Sequence, residues 1–407
     1  MIKISQKDKA VLRELAKKQQ EYASTPENIE REKQWYLHND LQGARPMVTI
    51  EEWTFHHEVA RPLTCETEKG RAFEGQLLGN IIGREDIDDD RSTPDFFSVW
   101  RNGWFLPFGL EAKTQGVAGS VAYEFIHPIQ DLEKDIGVLG PSTWGFSKDA
   151  PDLELAQDIF DDILPVKQFS PYPSGGLSYM LIRYMSMETM LLSLYDYPEL
   201  FHQVINQLTN DLLQYHKEME TAGVYITNNI NQQIGQGTYA HTALLSSKDG
   251  AALTDMWGYF DSQETTDVSP DMFAEFFFPY YKRLMDMCGL VNYGCCEPVH
   301  GIWDSCLSQC HNIRKLSIAP WCDEEFIGDK LRCTNIIYHR KPSPNTVAAP
   351  GTFDEVMYAE HIVKTLKAAK GCKLEFSLRD IYSLGGEKTR ANRVVRLIRD
   401  MIERHWE

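Results

Sequence analysis

The sequence predicts an α/β fold: a closed (β/α)8 TIM barrel with an N-terminal helical extension and an inserted β-ribbon. Three observations lead there. From residue 164 onward, short apolar runs alternate with helical tracts, the pattern of a parallel sheet with crossover helices. Neither a GxGxxG following a strand nor a GxxxxGK[ST] occurs, so the signature of an open nucleotide-binding sheet is missing. Polar residues follow nearly every apolar run, as they do where the C-terminal ends of strands ring one site. Seven core strands can be counted, so closure of the barrel is an inference.

In chain order, residues 5–21 form a charged helix with Val11, Leu12 and Leu15 on one side. Thr25 caps a second helix that has Pro26 in its first position. These belong to an extension over residues 1–45, with the barrel over 46–407. MVTIEEWTF is the first core strand, and its exit carries Glu51, Glu52, Trp53, His56 and His57. A helix spans Glu68 to Ile82. The acid-rich run from Glu85 to Asp90 reads as a solvated turn, because it lacks the glycine and terminal glutamate of a calcium loop. Residues 96–125 read as an inserted antiparallel ribbon. PVKQFS and VYITNNI are the next strands, the latter ending in Asn228 and Asn229, with a helical tract from Ser186 to Ala222 between them. Ser269-Pro270 opens a helix to Cys288. LVNY, KLSIAP, CTNIIYH and LEFSL complete the strands. A capping box at Gly351–Glu355 starts one of the last helices, and Thr389 to His405 forms the final one.

Composition narrows the function classes. With 59 acidic against 41 basic side chains the formal charge is -18, which disfavours nucleic acid as a partner. No run approaches the length of a membrane span, and the charged N-terminus has no apolar export segment. Nine cysteines in a long chain read as reduced thiols in a cytoplasm, some of them metal ligands.

Chemistry concentrates between Leu290 and Asp323, which holds five of the nine cysteines. Cys295, Glu297 and His300 offer a thiolate, a carboxylate and an imidazole within six residues, donor types that suit zinc. A buried or merely reactive thiol cluster is the competing reading. Cys295 and Glu297 are the metal candidates. Asp323, Asp380 and His300 are the acid–base candidates. Trp53, Asn228, Trp321, Arg340, Lys341 and Arg379 are the substrate-binding candidates, with Arg340-Lys341 suited to a substrate carboxylate. His339 is a further strand-end group. Cys306, Cys310 and His311 read as packing. Glu375, inside an apolar strand, demands a buried partner.

These residues carry a resemblance. PENIEREKQWYLHNDLQGARPMV, YGCCEPVHG, NIRKLSIAPWCD, YHRKPSPN and LEFSLRDI together resemble the uroporphyrinogen decarboxylase superfamily, nearest its methyltransferase-related and uncharacterised branches. The resemblance implies a (β/α)8 barrel with a deep pocket at the strand C-termini. It also implies methyl transfer between a small methylated substrate and a corrinoid or thiol acceptor, with zinc assistance. Zinc in such relatives sits on a His-x-Cys pair and a later Cys. Here Cys295 stands in the cysteine position, Tyr293 in that of the histidine, and Arg379 and Asp380 where the later ligand belongs. No DxHxxG segment is present, so a corrinoid would arrive on a partner protein or as free cobalamin. The PxWxMRQAGRY segment of the decarboxylases has no match, which leaves a carboxy-lyase or a non-catalytic small-molecule-binding barrel as alternatives.

Overall fold

A computed structural model describes residues 4–116 and 123–406. Residues 117–122, part of the expected ribbon insertion, lie outside the described residues. The chain is a mixed α/β structure around one seven-stranded parallel sheet. Its strands, in chain order, are β1 (Met47–Ile50), β2 (Phe97–Trp100), β3 (Gly103–Leu106), β4 (Lys113–Gly116), β5 (Tyr123–Ile126), β6 (Thr143–Phe146) and β7 (Val166–Phe169). Then follow β8 (Ser174–Gly175), β9 (Trp257–Phe260), β10 (Leu290–Tyr293), β11 (Ile313–Ile318), β12 (Ile337–Arg340) and β13 (Lys373–Leu378). The central order is β1-β13-β12-β11-β10-β9-β8, with β1 and β8 at the edges. β2 pairs with β7 in parallel, while β3–β6 and β4–β5 are antiparallel ribbons.

Two strand assignments change. VYITNNI is not a strand of the sheet; Asn228 instead uses its side chain, accepting from Trp257 N at 2.8 Å and donating to Trp257 O at 3.1 Å. The place is filled by WGYF (β9), a segment that its central Gly258 disguises, because glycine is a poor strand former. PVKQFS pairs outside the central sheet, and the turn-rich stretch after it supplies β8. Helix starts follow their caps: Ser5, Thr25 and Thr67 each accept a backbone N–H of the first turn. Asp354 caps Glu355–Ala368 in place of the expected capping box. The predicted helix to Cys288 is two, Pro270–Phe276 and Phe278–Met285, broken at Phe277. The first helix lays Leu12 and Ala16 against Phe73, Leu77 and Phe160, which fastens the N-terminal segment to the body.

One face of the sheet is apolar and packs on helices, whereas the other is polar yet fully buried. Thr49, Asn292, Lys315, Ser317, His339, Glu375 and Ser377 all point inward with at most 2% exposure. Residues 231–241 run across this face and supply partners to several of these groups, while Asn292 Oδ1 and His339 Nδ1 are left without one. Asn292 Nδ2 donates to Ile234 O (3.1 Å), Lys315 Nζ to Thr238 Oγ1 (2.6 Å), and Thr49 Oγ1 to Gly237 O (2.8 Å). The close approach needs glycine. A Cβ on Gly235 would lie 2.8 Å from the Tyr259 ring, and one on Gly237 would lie 3.1 Å from Glu51, both at positive φ. At the far end, Glu375 finds the partners its burial requires: Lys315 Nζ at 2.9 Å and His38 Nε2 at 3.0 Å.

The edge strand β1 is stopped by carboxylates. Asp90 Oδ2 accepts from Val48 N (2.7 Å) and Asp89 Oδ2 from Ile50 N (2.9 Å). Arg45 and Arg399 hold Asp90, while Arg91 holds Asp89. The acidic run is therefore in part an edge cap and not a solvated turn: Asp89 and Asp90 are buried, and the sidedness of β1 follows from them.

Removing one partner of a buried ion pair strands the other. Glu375→Ala should cost about 3–5 kcal/mol in urea unfolding, and the double change Lys315→Met with Glu375→Leu should recover most of it. A single-variant loss below about 1 kcal/mol would rule the pair out as a constraint. The buried histidines set an acid limit. Burial depresses the pKa of His38, of His216 to about 4, and of His241 and His339 to about 3. A depressed folded pKa gives stability that is complete above the unfolded value near 6.5 and is lost as pH falls. The unfolding free energy from urea titration should therefore fall as pH drops from about 7.5 toward about 4, by at most about 1.4 kcal/mol per pH unit for each histidine. His241→Phe should flatten that slope.

Candidate functional site

The C-terminal ends of adjacent parallel strands bring one group of side chains together. β1 ends in Glu51, β13 in Arg379, β12 in Lys341, β10 in Cys295-Cys296-Glu297, and β9 in Asp261. Gly294, at φ 102°, turns the chain out of β10, where a Cβ would come within 3.0 Å of Ser317. Ser317 Oγ then donates to Cys295 O at 3.0 Å and fixes the start of the loop.

Gln236, from the segment that fills the sheet, is the hub. Its carbonyl oxygen accepts from both Lys341 Nζ and Arg379 Nη1, and its amide nitrogen donates to Tyr259 Oη at 2.6 Å. Arg379 also donates through Nε to Glu51 Oε2 (2.9 Å), and its Nη1 lies 3.6 Å from Cys295 Sγ. Lys341 Nζ reaches Cys295 O at 3.3 Å. Burial lowers the Lys341 pKa to about 8, opposed by Cys295 and reinforced by Arg379.

The sulfurs of Cys295 and Cys296 are 3.7 Å apart, with the Cys295 thiol donating. That hydrogen bond draws the Cys296 pKa below the ordinary thiol value, against burial and with help from Lys341 and Arg379. The Cys295 pKa is correspondingly pushed up, so the first proton to leave the pair comes from Cys296. Burial, with Asp261 and Cys295 nearby, raises the Glu297 pKa to about 7. Burial also raises that of Asp261.

Several predicted site residues serve the scaffold. Arg340 is fully buried and holds Ile318 O, Ala319 O and Glu324 Oε1, so it does not face a substrate. Asn228 is committed to the backbone of Trp257, as described above. Asp323 is exposed and caps Glu324–Leu331 by accepting from Phe326 N at 3.0 Å. His300 Nδ1 accepts from Asp323 N (3.3 Å), and His339 bonds Ser377 Oγ (2.8 Å) in the sealed interior. Asp380, at φ 57°, stays near Arg379 with an Nη2–Oδ1 distance of 3.7 Å. Trp53 and Trp321 are more than half exposed at the mouth. Cys306 and Cys310 are buried in the core.

The donor set does not fit zinc. Both Glu297 oxygens already accept backbone N–H groups, from Ser262 and from Cys295, each at 2.8 Å. Two cations, Arg379 and Lys341, face Cys295, and Tyr293 turns its hydroxyl to Ser262 Oγ at 2.9 Å. Among the described residues, no group of three or more His, Cys, Asp and Glu side chains is arranged to hold a metal ion. Sequence reasoning missed Gln236, Tyr259 and Asp261. The only trace was the IGQGT run, whose two glycines bracket Gln236 at positive φ.

The paired cations carry a prediction. Alkylation by iodoacetamide, read at the peptide bearing Cys295 and Cys296, should show a first midpoint below the usual thiol value of about 8.5. Lys341→Met and Arg379→Met should each move it up by about one pH unit, the scale of losing one nearby charge. An unchanged midpoint in both variants would mean that the cations do not set the thiolate.

No family model matches the chain, and no curated protein matches it. Among solved structures, the chain is similar to a methyltransferase from Methanosarcina mazei at 13% identity and a TM-score of 0.49, covering 90% of this chain and 98% of that one. It is also similar to a B12-independent methionine synthase from Shewanella sp. W3-18-1 in complex with selenomethionine, at 14% identity and a TM-score of 0.31, covering 89% and 96% of the two chains.

Proposed function

We propose that this protein is a methyltransferase in which a sulfur of the Cys295–Cys296 pair takes the methyl group of a small substrate. The observation that carries this is the thiol pair, 3.7 Å apart, with Arg379 at 3.6 Å from Cys295 and Lys341 over the same loop. A methyl group on oxygen, nitrogen or sulfur is a poor electrophile, so the acceptor has to be a strong nucleophile and the leaving atom has to gain a proton. The thiolate attacks the methyl carbon; the S–C bond forms as the bond from carbon to the leaving heteroatom breaks. The electron pair goes to that heteroatom. Lys341, with its pKa about 8, is protonated near neutral pH and supplies the proton. Arg379 and Lys341 also provide the charge that would orient an anionic substrate.

A corrinoid, free or on a partner protein, would meet the exposed rings of Trp53, Trp321 and Tyr382, which stand after the strands β1, β11 and β13 on the same end of the sheet. When bound, it supplies a cobalt nucleophile strong enough to accept a methyl group from a thioether. The central sheet is read as the larger arc of a (β/α)8 barrel, with β2 and β7 in the remaining wall. Ser170, next to β7, supports this by accepting from Ile226 N at 2.9 Å. A cytoplasmic location is supported by nine free thiols.

The carboxy-lyase alternative needs cations around several substrate carboxylates. Here Lys341 and Arg379 converge on one glutamine oxygen, and Arg379 is already neutralised by Glu51. Incubation with methoxylated aromatics and methylamines, with and without reduced cobalamin, should yield a Cys295–Cys296 peptide heavier by one methyl group, or methylcobalamin. Cys296→Ala should abolish both. Decarboxylation of uroporphyrinogen with no methylated product would overturn the proposal.

A further inference from the structure

A cavity of about 340 Å³ is lined by Glu51, the partner of Arg379, but by neither Arg379 nor the thiols. It is bounded by the exit of β1, the helix Glu68–Ile82 and the segment that fills the sheet. Four side-chain amides line it, and each spends its nitrogen on an oxygen of the protein. Asn231 Nδ2 donates to Ser92 O (2.7 Å) and Gln76 Nε2 to Ser98 O (3.1 Å). Asn80 Nδ2 donates to Gln19 Oε1 (2.9 Å), while Gln19 is itself oriented by donating to Pro94 O and Phe96 O. Gln233 Nε2 donates to Glu51 Oε1 at 3.3 Å.

Each of those partners is an oxygen that can only accept, so the amide orientations are fixed by chemistry. What remains for the cavity is four carbonyl oxygens, beside the carboxylates of Glu51, held by Arg379, and Glu52, held by Arg91 with His56 at 3.6 Å. The cation in the lining, Arg91, is turned to Asp89, Ile50 O and Glu52. A cavity so rich in acceptors favours a ligand that brings donors. Counting the ion pairs behind the lining, three carboxylates (Glu51, Glu52 and Asp89) stand against two guanidiniums (Arg379 and Arg91), an excess that favours positive charge on that ligand, and Trp53, Phe96 and Phe169 offer rings to its methylene groups.

We propose that this cavity is a binding site for a small organic ammonium ion, separate from the chemistry of the thiol pair. Neutral polyols share the donors without the charge, and anions have neither, so three linear molecules of matched length separate the cases. Calorimetric titration of the full chain should give one-to-one binding of putrescine, binding of 1,4-butanediol about ten-fold weaker or less, and no heat from succinate. Glu52→Gln and Asn231→Leu should each weaken putrescine by about five-fold or more, with matched thermal unfolding showing both variants folded. If Asn231→Leu fails to fold, Glu52→Gln alone decides. Cys295→Ser should leave putrescine affinity unchanged, so a failure of methyl transfer and a failure of this site are read independently. No binding of putrescine, equal binding of butanediol, or indifference to Glu52→Gln would overturn the proposal.

Discussion

The inner face of the sheet is polar and has no access to water, and the rest of the molecule is arranged around that constraint. A buried amide, ammonium or carboxylate without a partner costs several kcal/mol (rough order), so the face requires a second layer made of hydrogen-bonding groups. Residues 231–241 are that layer. Their carbonyls take the protons of Thr49 and Asn292, and Thr238 takes that of Lys315. A helix could not do this, because its carbonyls are already bonded to its own N–H groups. An irregular, glycine-bearing segment keeps its backbone groups free to serve the sheet.

The same segment builds the site. Gln236 is placed by its glycine neighbours under the ends of β9, β12 and β13, where it ties Lys341, Arg379 and Tyr259 together. The cations that face the thiol pair are thus held by the element that seals the interior. Scaffold and chemistry are not separable here: a change that loosens the segment releases Lys341 and Arg379 as well. Glu51 couples the two candidate sites in a similar way, with one oxygen on Arg379 and the other on Gln233.

Side chains take up backbone groups at the β1 edge of the sheet and on β9, the strand next to the β8 edge. Carboxylates of Asp89 and Asp90 occupy the free N–H groups of β1, and Asn228 brackets Trp257 on β9. This use of side chains as edge caps explains why acids and asparagines cluster in stretches that look like loops.

By itself the sequence determined the parallel α/β class, most of the helices, and the strands β1 and β10–β13, because each of these follows from local periodicity and capping. It also determined that Glu375 needed a partner, since an acid inside an apolar strand has no other stable state. It pointed to the Cys295–Cys296 loop and to Lys341 and Arg379 as strand-end groups. What only the tertiary structure decided is which polar groups face one another. Arg340 and Lys341 are adjacent in sequence, yet in the parallel sheet one goes to Glu324 and the other to Gln236, because successive side chains leave a strand on opposite faces. Glu297 acts as a backbone clamp, because the β9 and β10 loops place two N–H groups against it. Gln236 had no local signature beyond two glycines, since its role depends on contacts with residues 23 to 143 positions away.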